Sequence, residues 1–409
     1  MDASMSGAPP AGSDTMQRKK RGPGLLIAII VVVVVIIVVV GLGFGLGWFK
    51  TSTSSSDKGI GGCTLPSAGS LKGEGSSLVQ PLMDQWSSSY WTGSVVTSYN
   101  PAGSSSGISA ITLKVVDFGA SDAPLNPAQR AAAPGVLEFP EAAGSVVPIY
   151  NLPGNLSLNF TGSVLAQIYD GQITTWNAPA IAAINPGVTL PSNNIQQVYR
   201  SGGSGTTFIF TSFLTLENNY WASHYGKNLS WPSGLPGTAE SGNGGLTAYV
   251  GETTYAIGYV DLTYALQSSI KLGIGAVENP SLKFIKANVA NTESALHDVI
   301  QTLPPGSASW YNVSFLNAPG PNDYPIASLT YLMVYQNLSA AYSSYTLSSA
   351  ENLVDFMAWA IGPGQQWSPL LYYATLPSSV LSTDNATLAS MTFGGSAIPV
   401  CIPTGGTPS

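Results

Sequence analysis

The chain has 409 residues, of which 44% are hydrophobic and only 9% charged, with a formal net charge of −7. That length exceeds a usual single core, and the hydrophobic content with nine Trp excludes a disordered chain. Beyond residue 50, nine Lys and Arg face 19 Asp and Glu, a balance that excludes nucleic acid as a partner and leaves any anion site to local chemistry.

Residues 1–24 are small and polar and end close after Arg18-Lys19-Lys20-Arg21. The run 25–48 is uncharged and apolar, long enough at about 1.5 Å per residue to cross a bilayer core. The basic cluster places 1–24 in the cytoplasm and everything after Lys50 outside. A cleaved signal peptide is the rival, but the run is longer than a usual signal core and lacks a clear small-x-small site, so an uncleaved single-pass anchor is expected. Residues 49–63 form a Ser/Gly-rich linker. The two cysteines, Cys63 and Cys401, permit one intramolecular bond in an oxidising exterior, joining the ends of the ectodomain. Two free thiols are the alternative. Six Asn-x-Ser/Thr sites, at Asn155, Asn159, Asn228, Asn312, Asn337 and Asn385, fit an exterior location, but a Ser/Thr-rich chain produces nearly that many by chance.

From Gly73 onward, β-type runs alternate with helical ones, the habit of α/β domains. The pattern predicts strands at 94–99, 144–150, 195–199, 256–260 and 328–334, and helices at 78–90, 164–169, 207–220, 293–302 and 350–362. The low charge suits an acidic exterior, where few carboxylates change state as they protonate.

Arg200, one of two arginines after residue 50, precedes Ser201-Gly202-Gly203-Ser204-Gly205-Thr206-Thr207. Ser, Gly and Thr before an apolar helical run supply N-cap chemistry, free backbone N–H groups and hydroxyl donors, while the guanidinium adds a two-pronged one. The stretch reads as an oxyanion cradle, against the alternative of an Arg that caps a carbonyl or pairs with a surface carboxylate. Two further loops share the design: Gly73-Glu74-Gly75-Ser76-Ser77-Leu78 and Gly103-Ser104-Ser105-Ser106-Gly107-Ile108. Between the loops, Asp117-Phe118-Gly119-Ala120-Ser121-Asp122-Ala123-Pro124 ends a strand and sets Asp122 before a turn. A carboxylate there repels a fully ionised anion but accepts a hydrogen bond from a protonated one, which selects phosphate over sulfate. An Asx-turn is the alternative role for Asp122. Gly103 to Gly107 also satisfies G-x-S-x-G, so a serine hydrolase on Ser105 is a rival, with only His224 and His297 available as bases.

Together these stretches resemble the phosphate-binding proteins that serve ABC-type phosphate transporters. The segment 117–125 is similar to that family's most distinctive motif, and 200–208 to its Arg-x-Asp-Gly-Ser-Gly-Thr-Ser-Phe segment. Val147-Pro148-Ile149-Tyr150-Asn151-Leu152-Pro153-Gly154, the stretch 168–176 and Ala256-Ile257-Gly258-Tyr259-Val260 support it. The resemblance spans residues 73–264 and thins beyond. It implies a two-lobed α/β fold of the periplasmic-binding-protein type II with two hinge crossovers, preceded here by the transmembrane helix. Lobe 1 would comprise 64–142 and 328–409, and lobe 2 143–327. It also implies Ser77, the Leu78 backbone, Ser104 and Asp122 as phosphate ligands from the first lobe, with Arg200, Ser204, Gly205 and Thr206 from the second. No cofactor or metal is implied; the partners are a permease and, through it, an ATPase. Two departures stand out: Gly202 replaces the Asp that holds the family's Arg, and Glu74 replaces an Ala. The expectation is that Glu74 approaches Arg200 on closure and substitutes for the missing carboxylate. A sensor or surface glycoprotein that binds another oxyanion on the same fold is the remaining alternative.

Overall fold

The structure, a computed structural model, describes residues 59, 63–65, 69–90, 95–299 and 303–403, and the chain from Ser56 onward forms one compact unit. The tail at 1–24, the anchor at 25–48 and most of the linker at 49–63 lie outside the described residues. Among the described residues no helix is long and apolar enough to cross a membrane.

Twelve strands set the frame: β1 (Gly69–Gly75), β2 (Val95–Asn100), β3 (Phe118–Ser121), β4 (Val136–Tyr150), β5 (Asn159–Phe160), β6 (Gln196–Arg200), β7 (Thr238–Glu240), β8 (Ala256–Asp261), β9 (Gly273–Ile274), β10 (Ala276–Glu278), β11 (Phe284–Ile285) and β12 (Ala327–Tyr335). The main sheet runs β2-β1-β3-β12-β4-β8-β6-β7, with β9 added on β4, and β11-β10-β5 form a small second sheet. Pairing is parallel for β1 with β2 and β3, and for β6 with β7 and β8. Helices therefore cross between these strands, as parallel pairing requires. Each predicted strand is present, but the run expected at 144–150 begins eight residues earlier, at Val136.

That extension explains how one sheet serves two halves. Residues Val136 to Ser145 of β4 pair antiparallel with β12, while Val146 to Tyr150 pair antiparallel with β8. The strand is buried along its full length, Glu138 and Glu141 included. The register shifts between Thr330 and Tyr331, which face Ala142 and Pro140, so Glu141 is the extra residue of a β-bulge. The C-terminal ends of β1, β3, β6 and β8 converge on one seam, where binding sites of open α/β sheets form.

The halves are consolidated by large aromatic cores. Trp86, Trp176, Trp221, Trp310 and Trp359 are each fully buried. Trp86 packs edge-on against Trp359 and donates its indole N–H to the Gly364 carbonyl at 2.9 Å. Cys63 and Cys401 form a disulfide with Cα atoms 5.8 Å apart, closing a sequence separation of 338 residues. A cross-link over so long a span restricts the unfolded chain, and replacing both cysteines by Ser is expected to cost about 2–5 kcal/mol of stability in denaturant titration.

Buried carboxyl groups give the fold a pH signature. Desolvation pushes Glu138, Asp261 and Asp355 up to about 7, against hydrogen bonds from Leu125, Thr263 and Cys401 respectively. The folded chain thus keeps protons that an unfolded carboxyl releases near pH 4. The penalty for burying these groups is absent below about pH 4 and complete above about 7, so stability falls as pH rises through that window. Thermal unfolding should show a Tm at least about 5 °C higher near pH 5 than near pH 8; a higher Tm at pH 8 would contradict the burial of neutral carboxyls.

Candidate anion-binding site

Arg200 is the last residue of β6, and Ser204 caps the helix Gly205–Glu217 by accepting the Thr207 N–H at 3.2 Å. Strand end and helix start are tied together by Tyr259 of β8. Its hydroxyl accepts the Arg200 N–H at 3.3 Å and shares a 2.8 Å hydrogen bond with Thr207 Oγ1, while its ring stacks on Phe210 with centroids 4.4 Å apart. The Arg200 side chain is buried at 4% exposure, and its Nε has no hydrogen-bond partner. Among the described residues it forms no ion pair, whereas the other arginine beyond residue 50, Arg130, pairs with Glu138 at 2.8 Å. Burial pulls the guanidinium down from its usual pKa; Tyr259, Asp122 and Tyr264 oppose that effect.

Residues from the β1–β3 half meet Arg200 across the seam. Ser104 Oγ accepts the N–H of Asp122 at 3.2 Å and that of Gly205 at 3.0 Å. The Ser105 N–H donates to the Gly203 carbonyl at 3.1 Å. Ser77 Oγ accepts both the backbone N–H of Asn243 at 3.2 Å and its Nδ2 at 3.1 Å, and the same Nδ2 reaches Thr206 Oγ1 at 3.2 Å. Tyr264 donates its hydroxyl to the Ser77 carbonyl at 2.7 Å.

A proton count shows what this arrangement offers. The oxygens of Ser77, Ser104, Ser204 and Thr206 each accept N–H groups, which fills lone pairs and leaves the hydroxyl hydrogen uncommitted. None of the four donates to another group among the described residues. The backbone N–H of Leu78 is occupied by Ser76 Oγ at 2.9 Å, and that of Gly205 by Ser104. Asp122 is 1% exposed, with Oδ1 accepting from Thr330 Oγ1 at 2.9 Å and Oδ2 lacking any partner. Desolvation pushes its pKa up to about 6, opposed by the neighbouring Ser76 and Thr330 hydroxyls and the charge of Arg200.

Two participants escaped the sequence reading. Asn243, fully buried, sits in Ser241-Gly242-Asn243-Gly244-Gly245, the N-cap and first turn of the helix Gly242–Glu252, a Ser/Gly-rich helix start like those of the other three stretches. Thr330 lies in the middle of a strand and carries no local signal. One expectation needs correction. Glu74 does not approach Arg200: its Oε2 accepts from Asn100 Nδ2 at 3.1 Å and its Oε1 from Ser106 Oγ. The Gly202 position is open, since a Cβ there meets nothing within 4 Å. The hydrolase constellation is not assembled either. His224 stacks on Tyr220 with centroids 3.9 Å apart, and His297 contacts Asp298, so neither ring serves Ser105.

The chain matches the PBP superfamily domain over residues 63–363, which defines the class that this fold and seam represent. It is 36% identical to the phosphate-binding protein PstS of Xylella fastidiosa over 78% of this chain and 85% of that one. The PstS of Haemophilus influenzae is 34% identical, with coverage of 78% and 93%. The fold is similar to a periplasmic phosphate-binding protein (PfluDING) solved with phosphate, with a TM-score of 0.64 and 20% identity over 78% and 93% of the two chains. It is also similar to the phosphate-binding protein from Stenotrophomonas maltophilia, with a TM-score of 0.62 and 19% identity over 79% and 95%. The chain therefore belongs to the PBP superfamily and, within it, to the phosphate-binding protein PstS family.

Gly205 is the steric key of the seam. A Cβ there would lie 2.5 Å from Asp122 Cβ, Asp122 Oδ2 and Ser104 Oγ. Gly205→Ala should leave far-UV circular dichroism unchanged and weaken inorganic phosphate binding by at least about tenfold, because the halves must part to admit the methyl group. Unchanged affinity would show that this contact does not limit closure.

Proposed function

We propose that this chain is an extracellular substrate-binding protein, not an enzyme, that captures inorganic phosphate at the Arg200 seam and delivers it to an ABC transporter permease coupled to an ATPase. The observation that carries the reading is the proton inventory: four hydroxyl hydrogens and a buried guanidinium without acceptors, opposed by one carboxylate oxygen, Asp122 Oδ2, without a donor. An oxyanion that retains one proton satisfies both sides, donating its hydroxyl to Asp122 and accepting from the rest. Sulfate carries no proton at neutral pH and meets the Asp122 charge uncompensated. The names of the PstS relatives support the same ligand.

In this reading, 64–142 with 328–409 and 143–327 act as two lobes that cross over within β4 and just before β12, and Ser77, Ser104, Asp122, Arg200, Ser204 and Thr206 form the phosphate shell. The Leu78 and Gly205 backbones order the loops around it. Residues 25–48 anchor the domain to the membrane as a single pass, and 49–63 hold it off the surface.

Calorimetric titration of the full chain with inorganic phosphate and with sulfate tests the proposal. Phosphate should bind at neutral pH with sulfate excluded, and Arg200→Ala should weaken phosphate by at least about 100-fold, the scale for truncating a buried charged partner. Asp122→Asn should bring the two anions to within about tenfold of each other. Wild type should begin to admit sulfate as pH falls through about 6, where Asp122 gains its proton and turns from acceptor to donor. Absence of phosphate binding by well-folded protein would overturn the assignment.

A further inference from the structure

Glu141 is a second carboxyl behind the seam that the phosphate reading leaves without a role. It occupies the β4 bulge, where the register with β12 slips between Thr330 and Tyr331, and it is completely buried. Bulges re-aim side chains, and this one brings Glu141 Oε1 to 3.2 Å from Thr330 Oγ1. The same hydroxyl lies 2.9 Å from Asp122 Oδ1. One threonine oxygen therefore stands between two buried carboxyl groups, 0% and 1% exposed.

Thr330 has one hydroxyl hydrogen and cannot donate to both. If both carboxyls were ionised, one would face a Thr330 lone pair. The second contact needs a proton of its own. Each carboxyl has one buried oxygen without a partner, Asp122 Oδ2 and Glu141 Oε2; what separates them is that Asp122 has Arg200 as its cationic neighbour, whereas Glu141 has none among the described residues. An ionised buried carboxylate without a neighbouring cation is the more costly of the two. The proton belongs on Glu141 Oε1, from which it donates to Thr330 Oγ1, and Thr330 in turn donates to Asp122 Oδ1.

We propose that Glu141 is a positioning residue held in its protonated form, which through Thr330 keeps Asp122 ionised and so enforces selection for a protonated oxyanion. The proposal rests on the phosphate reading for its consequence, but not for the proton arrangement itself. The other groups facing this pair are Arg200, Asp261, Tyr99, Tyr264 and Tyr373. Arg200 is the only cation among them. Burial first, and then the Asp122 charge, hold the Glu141 carboxyl well above the usual carboxylate range, with the Thr330 hydrogen bond opposing.

The test combines three variants of the full chain with two readouts, calorimetry with sulfate and inorganic phosphate across pH about 4.5–8, and infrared spectra of the ligand-free protein. Thr330→Val and Glu141→Leu remove the hydroxyl and the proton donor respectively. Each should raise the pH at which sulfate begins to bind by about one unit, since Asp122 loses its donor in the first variant and Thr330 loses the partner that directs its hydrogen toward Asp122 in the second. Glu141→Gln retains an N–H for Thr330 and should restore the wild-type profile. In the neutral-pH infrared spectrum, Glu141→Gln should lose a protonated-carboxyl C=O band that wild type has. No lost band, a Gln variant that behaves like the Leu variant, or an unchanged sulfate profile in Thr330→Val would overturn the proposal. A Gln variant whose phosphate affinity rises at least about tenfold would also overturn it, because removing a wild-type anion is what such a gain reports. The infrared readout needs no ligand: if wild type binds neither anion but the band is lost, the phosphate reading fails and the protonated Glu141 stands.

Discussion

A guanidinium buried at 4% exposure, without a carboxylate ion pair among the described residues, is the constraint on which the candidate site depends. Removing a cation from water is costly unless something compensates its charge. Tyr259 fixes the backbone at the end of β6, Asp122 supplies a negative charge from the other half of the sheet, and under the proposed function an arriving anion would supply the rest. The scarcity of basic residues gives this weight. With −10 beyond residue 50, the molecule as a whole repels anions, and only a local donor shell can reverse that.

The donor shell works by saturation of acceptors. Four hydroxyl oxygens are held by N–H groups from helix starts and from Asn243, so each must offer its hydrogen outward. The same bonds join the two halves of the sheet, since Ser104 holds Gly205 and Asn243 links Ser77 to Thr206. Under the proposed function, completing the shell and closing the seam would be one event. Glycines make the approach possible: Gly203 and Gly205 lie where a Cβ would enter Ser105, Ser104 or Asp122.

Carboxyl groups play a second part throughout the fold. Glu141, Asp261, Asp355 and Asp384 are all buried and all pushed upward by desolvation, whereas Asp122 and Glu138 each have an arginine, Arg200 and Arg130, to favour the charged form. Such a core favours the protonated form in the folded state, and it matches the low charge of the surface. Both features reduce the electrostatic change on acidification, one by having few groups to titrate and the other by having them already neutral.

The amino-acid order alone determined the α/β alternation, the loops that precede helices, and the pairing of Arg200 with a Ser/Gly/Thr run, because each is a short-range pattern of hydrophobic period, cap and turn chemistry. Asn243 was legible in principle, since its Ser/Gly-rich helix start is like those of the other three stretches, but an abundance of Ser and Gly hid it. The role of Glu74 was not legible: its carboxylate is claimed by Asn100 and Ser106, neighbours that only the β1–β2 pairing and the adjoining helix bring within reach. Thr330 and Glu141 were beyond reach for the same reason. They lie 189 residues apart, and their meeting with Asp122 depends on a one-residue bulge between antiparallel strands. Local sequence sets which groups are present and which backbone they prefer; tertiary register decides which carboxyl meets which hydroxyl, and with it where the protons reside.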